Sequence, residues 1–152
     1  MTWITTAAMT TSYISAKRYS DAIRESEKLF AVDKNNPVLL NNLAWLYDNN
    51  SDERGLEYAE KAYKRAPKSA AVMDTLGWIL VRKGKIERGT KLLETANELV
   101  PRQGDIVYHF AAALNKSGRT KEARRHLERI LKSGAKFSEM EAAKALLKEL
   151  GG

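Results

Sequence analysis

Two histidines, His109 and His126, come first among residues able to do chemistry, since imidazole binds zinc and moves protons near neutral pH. They fall on two different helical stretches, and no third ligand or paired carboxylate stands at metal spacing with them. The pattern therefore supports neither a zinc site nor acid–base catalysis. His109 is expected to pack against a neighbouring helix, and His126 to face solvent on a basic one. The chain has no cysteine, so neither disulfides nor thiolate metal sites can hold it, and the compartment is left undetermined. GKIERG and SGRTKE contain glycine but lack the phosphate-loop arrangement, and no nucleophile has an adjacent base. No metal, no cofactor and no enzymatic activity are expected.

What remains are residues suited to binding. Lys83, Lys85, Arg88, Lys116, Arg119, Lys121, Arg124 and Arg125 cluster around turns near the C-terminal end of a chain of net charge +7 and pI near 9.6. Such an edge could hold a polyanion, nucleic acid or acidic polysaccharide, through contacts that weaken steeply with salt. Against this, the basic residues alternate with glutamate at helical spacing, as on an ordinary solvated face. Nucleic acid is therefore not the expected partner.

The elements that position these residues emerge from a period. In a chain of 152 residues with 43% hydrophobic and 30% charged content, one folded domain over residues 1–152 is expected. Pro67 and Pro101 are 34 residues apart, as are Gly55 and Gly89, and Leu76 and Phe110. Leu43 and Leu76 are separated by one residue fewer. Turn residues break each period at Asn49-Asn50-Ser51, Lys83-Gly84-Lys85 and Lys116-Ser117-Gly118, so each unit is a helical hairpin. First helices are predicted at about 4–15, 37–49, 70–83 and 104–116, and their partners at about 19–33, 52–66, 86–100 and 120–133.

Small residues predict where the paired helices cross: Ala44 with Gly55, Gly77 with Gly89, and Ala111 with Ala123. Glycine inside a helix costs about 1 kcal/mol relative to alanine, and close backbone approach is the compensation. Leu40, Leu43 and Tyr47, then Met73, Leu76 and Leu80, then Val107, Phe110 and Leu114 are the expected core. Ser51 and Thr120 are expected N-caps, and Pro67 and Pro101 end helices. The segment FSEMEAAKALLKELGG breaks the period and reads as a capping helix over 138–150. Its expected capping box pairs Ser138 with Glu141, and Met140, Ala143, Leu146, Leu147 and Leu150 form its apolar stripe.

NNLAWLY, DTLGWIL and YHFAAAL resemble first helices of the tetratricopeptide-repeat (TPR) family, with Leu76, Gly77, Leu80, Gly84, Leu93, Ala96 and Pro101 at the spacings of its pattern. Met73 stands where tryptophan is usual, and Thr10, Ser26 and Lys34 depart from the pattern in the first unit. The resemblance implies an all-α, right-handed TPR α-solenoid: four hairpins (about 3–34, 35–67, 68–101 and 102–135) plus the C-terminal capping helix. It further implies a non-enzymatic scaffold that binds a protein or peptide segment in a concave groove lined by the first helices. Carried onto this chain, the groove positions are Val38, Asn41, Trp45 and Asp48; Asp74, Trp78 and Val81; and Asp105, Tyr108, Ala112 and Asn115. Trp45, Trp78 and Tyr108 would form an aromatic stripe, or would fill the gaps between hairpins. Asp48, Asp74 and Asp105 would repel a terminal carboxylate, so a basic or neutral segment fits better.

The motifs are also similar to the C-terminal repeats of larger bacterial TPR proteins, including TPR lipoproteins of the exosortase (PEP-CTERM) system. WITTAAMTTSYI has no polar outer face, so a preceding hairpin is expected to cover Trp3 and Ile4, and an uncovered one could pair with its copy in a second chain. The first twenty residues read as neither signal peptide nor membrane span. A cytoplasmic location is expected, or an envelope one if a longer parent carries a signal.

Overall fold

The computed structural model describes residues 18–151. Eight helices and no strand occur among them: α1 Tyr19–Val32, α2 Pro37–Asn49, α3 Arg54–Arg65, α4 Ala70–Arg82, α5 Ile86–Leu99, α6 Gly104–Lys116, α7 Thr120–Lys132 and α8 Met140–Glu149. Each predicted helix after residue 18 appears within two residues of its expected bounds. The helix predicted at 4–15 lies outside the described residues, as do Trp3, Ile4 and the surface invoked for pairing of two chains.

The described residues divide into two compact units, 18–75 and 76–151. In the first, α1 and α3 pack against α2. Ala22 and Ile23 of α1 meet Leu43, Leu46 and Tyr47 of α2, with Tyr19, Phe30, Trp45 and Tyr58 around them. The Tyr47 ring is buried, yet its hydroxyl donates to Glu27 Oε1 at 2.7 Å. Arg54 lies 4.1 Å from the same ring and reaches both Asp52 and Glu27. Burial and the Glu27 carboxylate both raise the Tyr47 phenol above its usual range, because each disfavours the phenolate.

In the second unit, α6 packs against α5 and α7, and α8 against α6 and α7. Val81, Leu93, Phe110, Ala111, Leu114, Ala123, Leu127 and Ala143 form its core, with Leu146, Leu147 and Leu150 laid against it. The expected seam residues, from Leu40 to Leu114, are all buried.

Glycine sets the helix crossings. A Cβ at Gly89 would meet Val81 Cγ2 at 2.6 Å and the Gly77 carbonyl at 2.7 Å, and one at Gly77 would meet Leu93 Cγ at 2.9 Å. That is the Gly77–Gly89 crossing read from the sequence. At Gly55 the nearest neighbour is Asp48, one turn on from Ala44; the Asp48 Cβ and amide nitrogen lie 2.9 Å from the place a side chain would take.

The three expected side-chain caps do not form where they were placed. Ser51 adopts φ 56° and closes α2 instead of starting α3. The start of α3 is served by Asp52, whose carboxylate accepts the Arg54 amide at 3.0 Å. At α7 the N-cap is Arg119 with no side-chain cap, and the Thr120 hydroxyl lies 3.2 Å from Asn115 Oδ1. At α8 the N-cap is Glu139 rather than Ser138, and the capping box is absent. A cap the sequence reading missed is Asn36, which accepts from the Val38 and Leu39 amides ahead of Pro37 at the first turn of α2.

Candidate functional site

Trp78 and Arg82 are four residues apart on α4 and so share a helix face. Across from them α6 presents Tyr108 and His109. The Trp78 indole stacks on the His109 ring at 4.4 Å and 20°, and meets the Tyr108 ring at 5.9 Å and 58°. His109 is buried, as expected of a packing residue, whereas Trp78 and Tyr108 are half-buried. The Arg82 guanidinium carbon stands 5.6 Å from the Trp78 ring centre, within the range of a cation–π contact.

The third side of this face is built by α8, and three contacts hold that helix in place. Asp105, at the start of α6, accepts the Glu139 amide at 2.8 Å and the Ser138 hydroxyl at 3.1 Å. Phe137 fills the space a side chain at Gly104 would need, 2.1 Å from the would-be Cβ. Leu146, Leu147 and Leu150 cover the core. Thus seated, α8 brings Glu139 and Glu149 into electrostatic reach of Tyr108. Burial first, then these two carboxylates, raise the Tyr108 phenol above its ordinary value. Burial lowers the Arg82 guanidinium, while Glu139 pulls it back up.

The other residues singled out from the sequence stand elsewhere. In the first unit Trp45 is half-buried and meets Tyr19 edge-on at 5.9 Å. Asn41 is half-buried, and its Oδ1 has no hydrogen-bond partner among the described residues. Asp48 lies at the crossing with Gly55, and Asp74 is half-buried near the end of the same unit. In the second unit Asn115 holds Thr120 across the α6–α7 turn, and Asp105 is engaged by α8. His126 does not face solvent: it is half-buried edge-on to Phe110 at 5.0 Å. What the sequence reading missed were Arg82, Glu139 and Glu149, which carry no motif and reach the aromatic pair only through tertiary packing.

The basic edge is partly neutralised. Arg119 makes two 2.8 Å contacts with Glu122 and lies 3.8 Å from Glu94, and Arg124 pairs with Glu128 at 2.9 Å. Beside it an open depression of about 550 Å³ lies between α5 and the α6–α7 turn, lined by both signs of charge, including Glu87, Lys91, Glu94 and Lys116. Among the described residues, no group of three or more His, Asp or Glu could hold a metal ion. No described helix is long and apolar enough to cross a membrane.

Residues 80–147 match the sequence model of the tetratricopeptide repeat. No curated protein matches the chain. Solved structures do. A thermophilic TPR protein of Thermus thermophilus, TTC0263, is 18% identical with a TM-score of 0.79, over 96% of this chain and 79% of that one. MamA from AMB-1 is 23% identical with a TM-score of 0.65, over 97% of this chain and 82% of the other. MamA from Desulfovibrio magneticus RS-1, from residue 41 to its end, is 12% identical with a TM-score of 0.68, over 96% and 91%. At these identities the likeness is one of fold. The TPR fold is in general a scaffold for protein–protein interaction, and its family is in general not enzymatic. Residues 80–147 thus match the tetratricopeptide-repeat model, and the described residues have the tetratricopeptide-repeat fold.

Proposed function

We propose that this chain is a non-enzymatic scaffold that holds a segment of a protein partner against the first helices of its repeats, with the Trp78–Tyr108 face as the principal contact. The observation that carries this reading is the state of those two rings. Each is half-buried and held by packing, with Trp78 stacked on a buried His109, so each offers apolar area at little cost in side-chain entropy. Asn41, Trp45, Asp48, Asp74 and Asn115 complete the proposed contact positions, and Asn41 supplies a buried carbonyl oxygen that still lacks a donor among the described residues.

Retention of partners from a lysate tests this, using the wild-type chain beside a Trp45→Ala, Trp78→Ala variant, at low and high salt, after circular dichroism shows both folded. A salt-resistant protein partner lost only in the variant supports the scaffold reading. Nucleic acid or acidic polymer, released by salt and indifferent to the two substitutions, would instead assign the function to Lys116, Lys121 and their basic neighbours.

A further inference from the structure

We infer that the Trp78–Tyr108 face is a cation-accepting site, which takes a lysine or arginine side chain of the bound segment and is occupied in the free chain by Arg82. This rests on the reading of that face as the partner contact and names the chemistry of the partner.

The chain is strongly basic overall, yet this face is the reverse. Among its charged groups, Glu139 and Glu149 act on Tyr108, and Arg82 lies 5.6 Å from the Trp78 ring and feels Glu139. Without the arginine it presents two carboxylates and two aromatic rings. Rings with negative faces and carboxylates in a partly desolvated place together favour ammonium or guanidinium over neutral groups. Arg82 shows the arrangement at work, since its guanidinium carbon lies 5.6 Å from the indole ring centre and feels the Glu139 carboxylate. It sits on a long, flexible side chain at the end of α4, so a partner's cation can compete with it for the site. Terminal carboxylates are excluded by the same charges.

The site depends on α8 for its negative charge. Glu139 is fixed by its own amide, donated to Asp105 at 2.8 Å. Both carboxylates therefore arrive with the capping helix, and a TPR array continuing with another hairpin at this point would lack them.

Three capped nonapeptides test the inference on the full chain at 0.15 M salt: alternating arginine and alanine, and the same with glutamine or glutamate in place of arginine. The arginine peptide is expected to bind about tenfold more tightly than the glutamine peptide, and the glutamate peptide not at all. Arg82→Gln should tighten the arginine peptide roughly threefold by vacating the site, and Glu149→Gln should weaken it by a similar factor. Equal binding of the arginine and glutamine peptides, lost in Trp78→Phe, would overturn the cation preference and leave the contact face intact. Loss of arginine-peptide binding in Arg82→Gln would overturn the displacement of Arg82. Absence of any Trp78-dependent binding by all three would overturn this inference together with the reading beneath it.

Discussion

The carboxylate of Asp105, at the N-terminal turn of α6, accepts the backbone amide of Glu139 at 2.8 Å, so one helix caps the start of another 34 residues later. The same carboxylate takes the Ser138 hydroxyl. Asp105→Ala leaves the first turn of α8 with orphaned donors, at a cost of about 1–2 kcal/mol. Urea denaturation should show that loss, with amide exchange accelerated selectively in α8. Ser138→Ala should cost far less, because the hydroxyl is exposed and water can donate to Asp105 in its place.

Ser51 is the single non-glycine residue with positive φ among the described residues, at 56°. Its equivalents in the next two turns are Gly84 and Gly118, at 83° and 80°. The turns match in their hydrogen bonds too: Asp52 N to Tyr47 O, Lys85 N to Leu80 O, and Arg119 N to Leu114 O, all 2.8–2.9 Å. Left-handed backbone costs an L-residue roughly 1–2 kcal/mol. Ser51→Gly should therefore stabilise the chain by about 1 kcal/mol, read as a higher thermal midpoint.

Gly89 works in the opposite sense. Alanine in a helix interior gains about 1 kcal/mol in propensity, but here its Cβ would come within 2.7 Å of the Gly77 carbonyl oxygen. A backbone atom cannot swing aside, and overpacking of this kind costs roughly 1–3 kcal/mol. Gly89→Ala should be destabilising on balance, as a urea midpoint would show, whereas alanine at an open helix-surface position should not be.

His126 gives the fold a pH dependence. Burial, followed by Arg129 and Arg125, lowers the imidazole below its ordinary value of 6.5, against a smaller opposing effect of Glu122. Its Nδ1 is buried with no hydrogen-bond partner among the described residues, and Phe110 of α6 packs edge-on against the ring. The unfolded chain thus takes up this proton at a higher pH than the folded one. The contribution is whole above pH 6.5 and is lost as pH falls through the lower folded value. Between about pH 7.5 and pH 5, the wild type should lose more stability than His126→Gln, measured by urea midpoint.

Much of this was legible in the sequence. A 34-residue spacing of Pro67 with Pro101 and Gly55 with Gly89 is enough to place helices, because turn and crossing residues recur wherever the backbone does. That His109 packs against a neighbouring helix was also legible, but its stack on Trp78 was not. Caps were less legible: Ser51, Thr120 and Ser138 have cap chemistry, but the αL turn claims Ser51, Asn115 claims Thr120, and Asp105 claims Ser138. Nor could sequence show that α8 lends two carboxylates to Tyr108, since that depends on Phe137 settling over Gly104, a contact with no local signature.

The most direct measurement of the scaffold reading is the affinity of a purified partner segment for the wild type, for Trp78→Ala and for Tyr108→Ala, each between about 0.05 and about 0.5 M salt. Truncating an aromatic contact anchor should cost about 2 kcal/mol, roughly thirtyfold in Kd, with little dependence on salt. Unchanged affinity in both variants, together with loss on charge reversal of Lys116, Lys121 and Arg125, would contradict the account and move the binding surface to the basic edge.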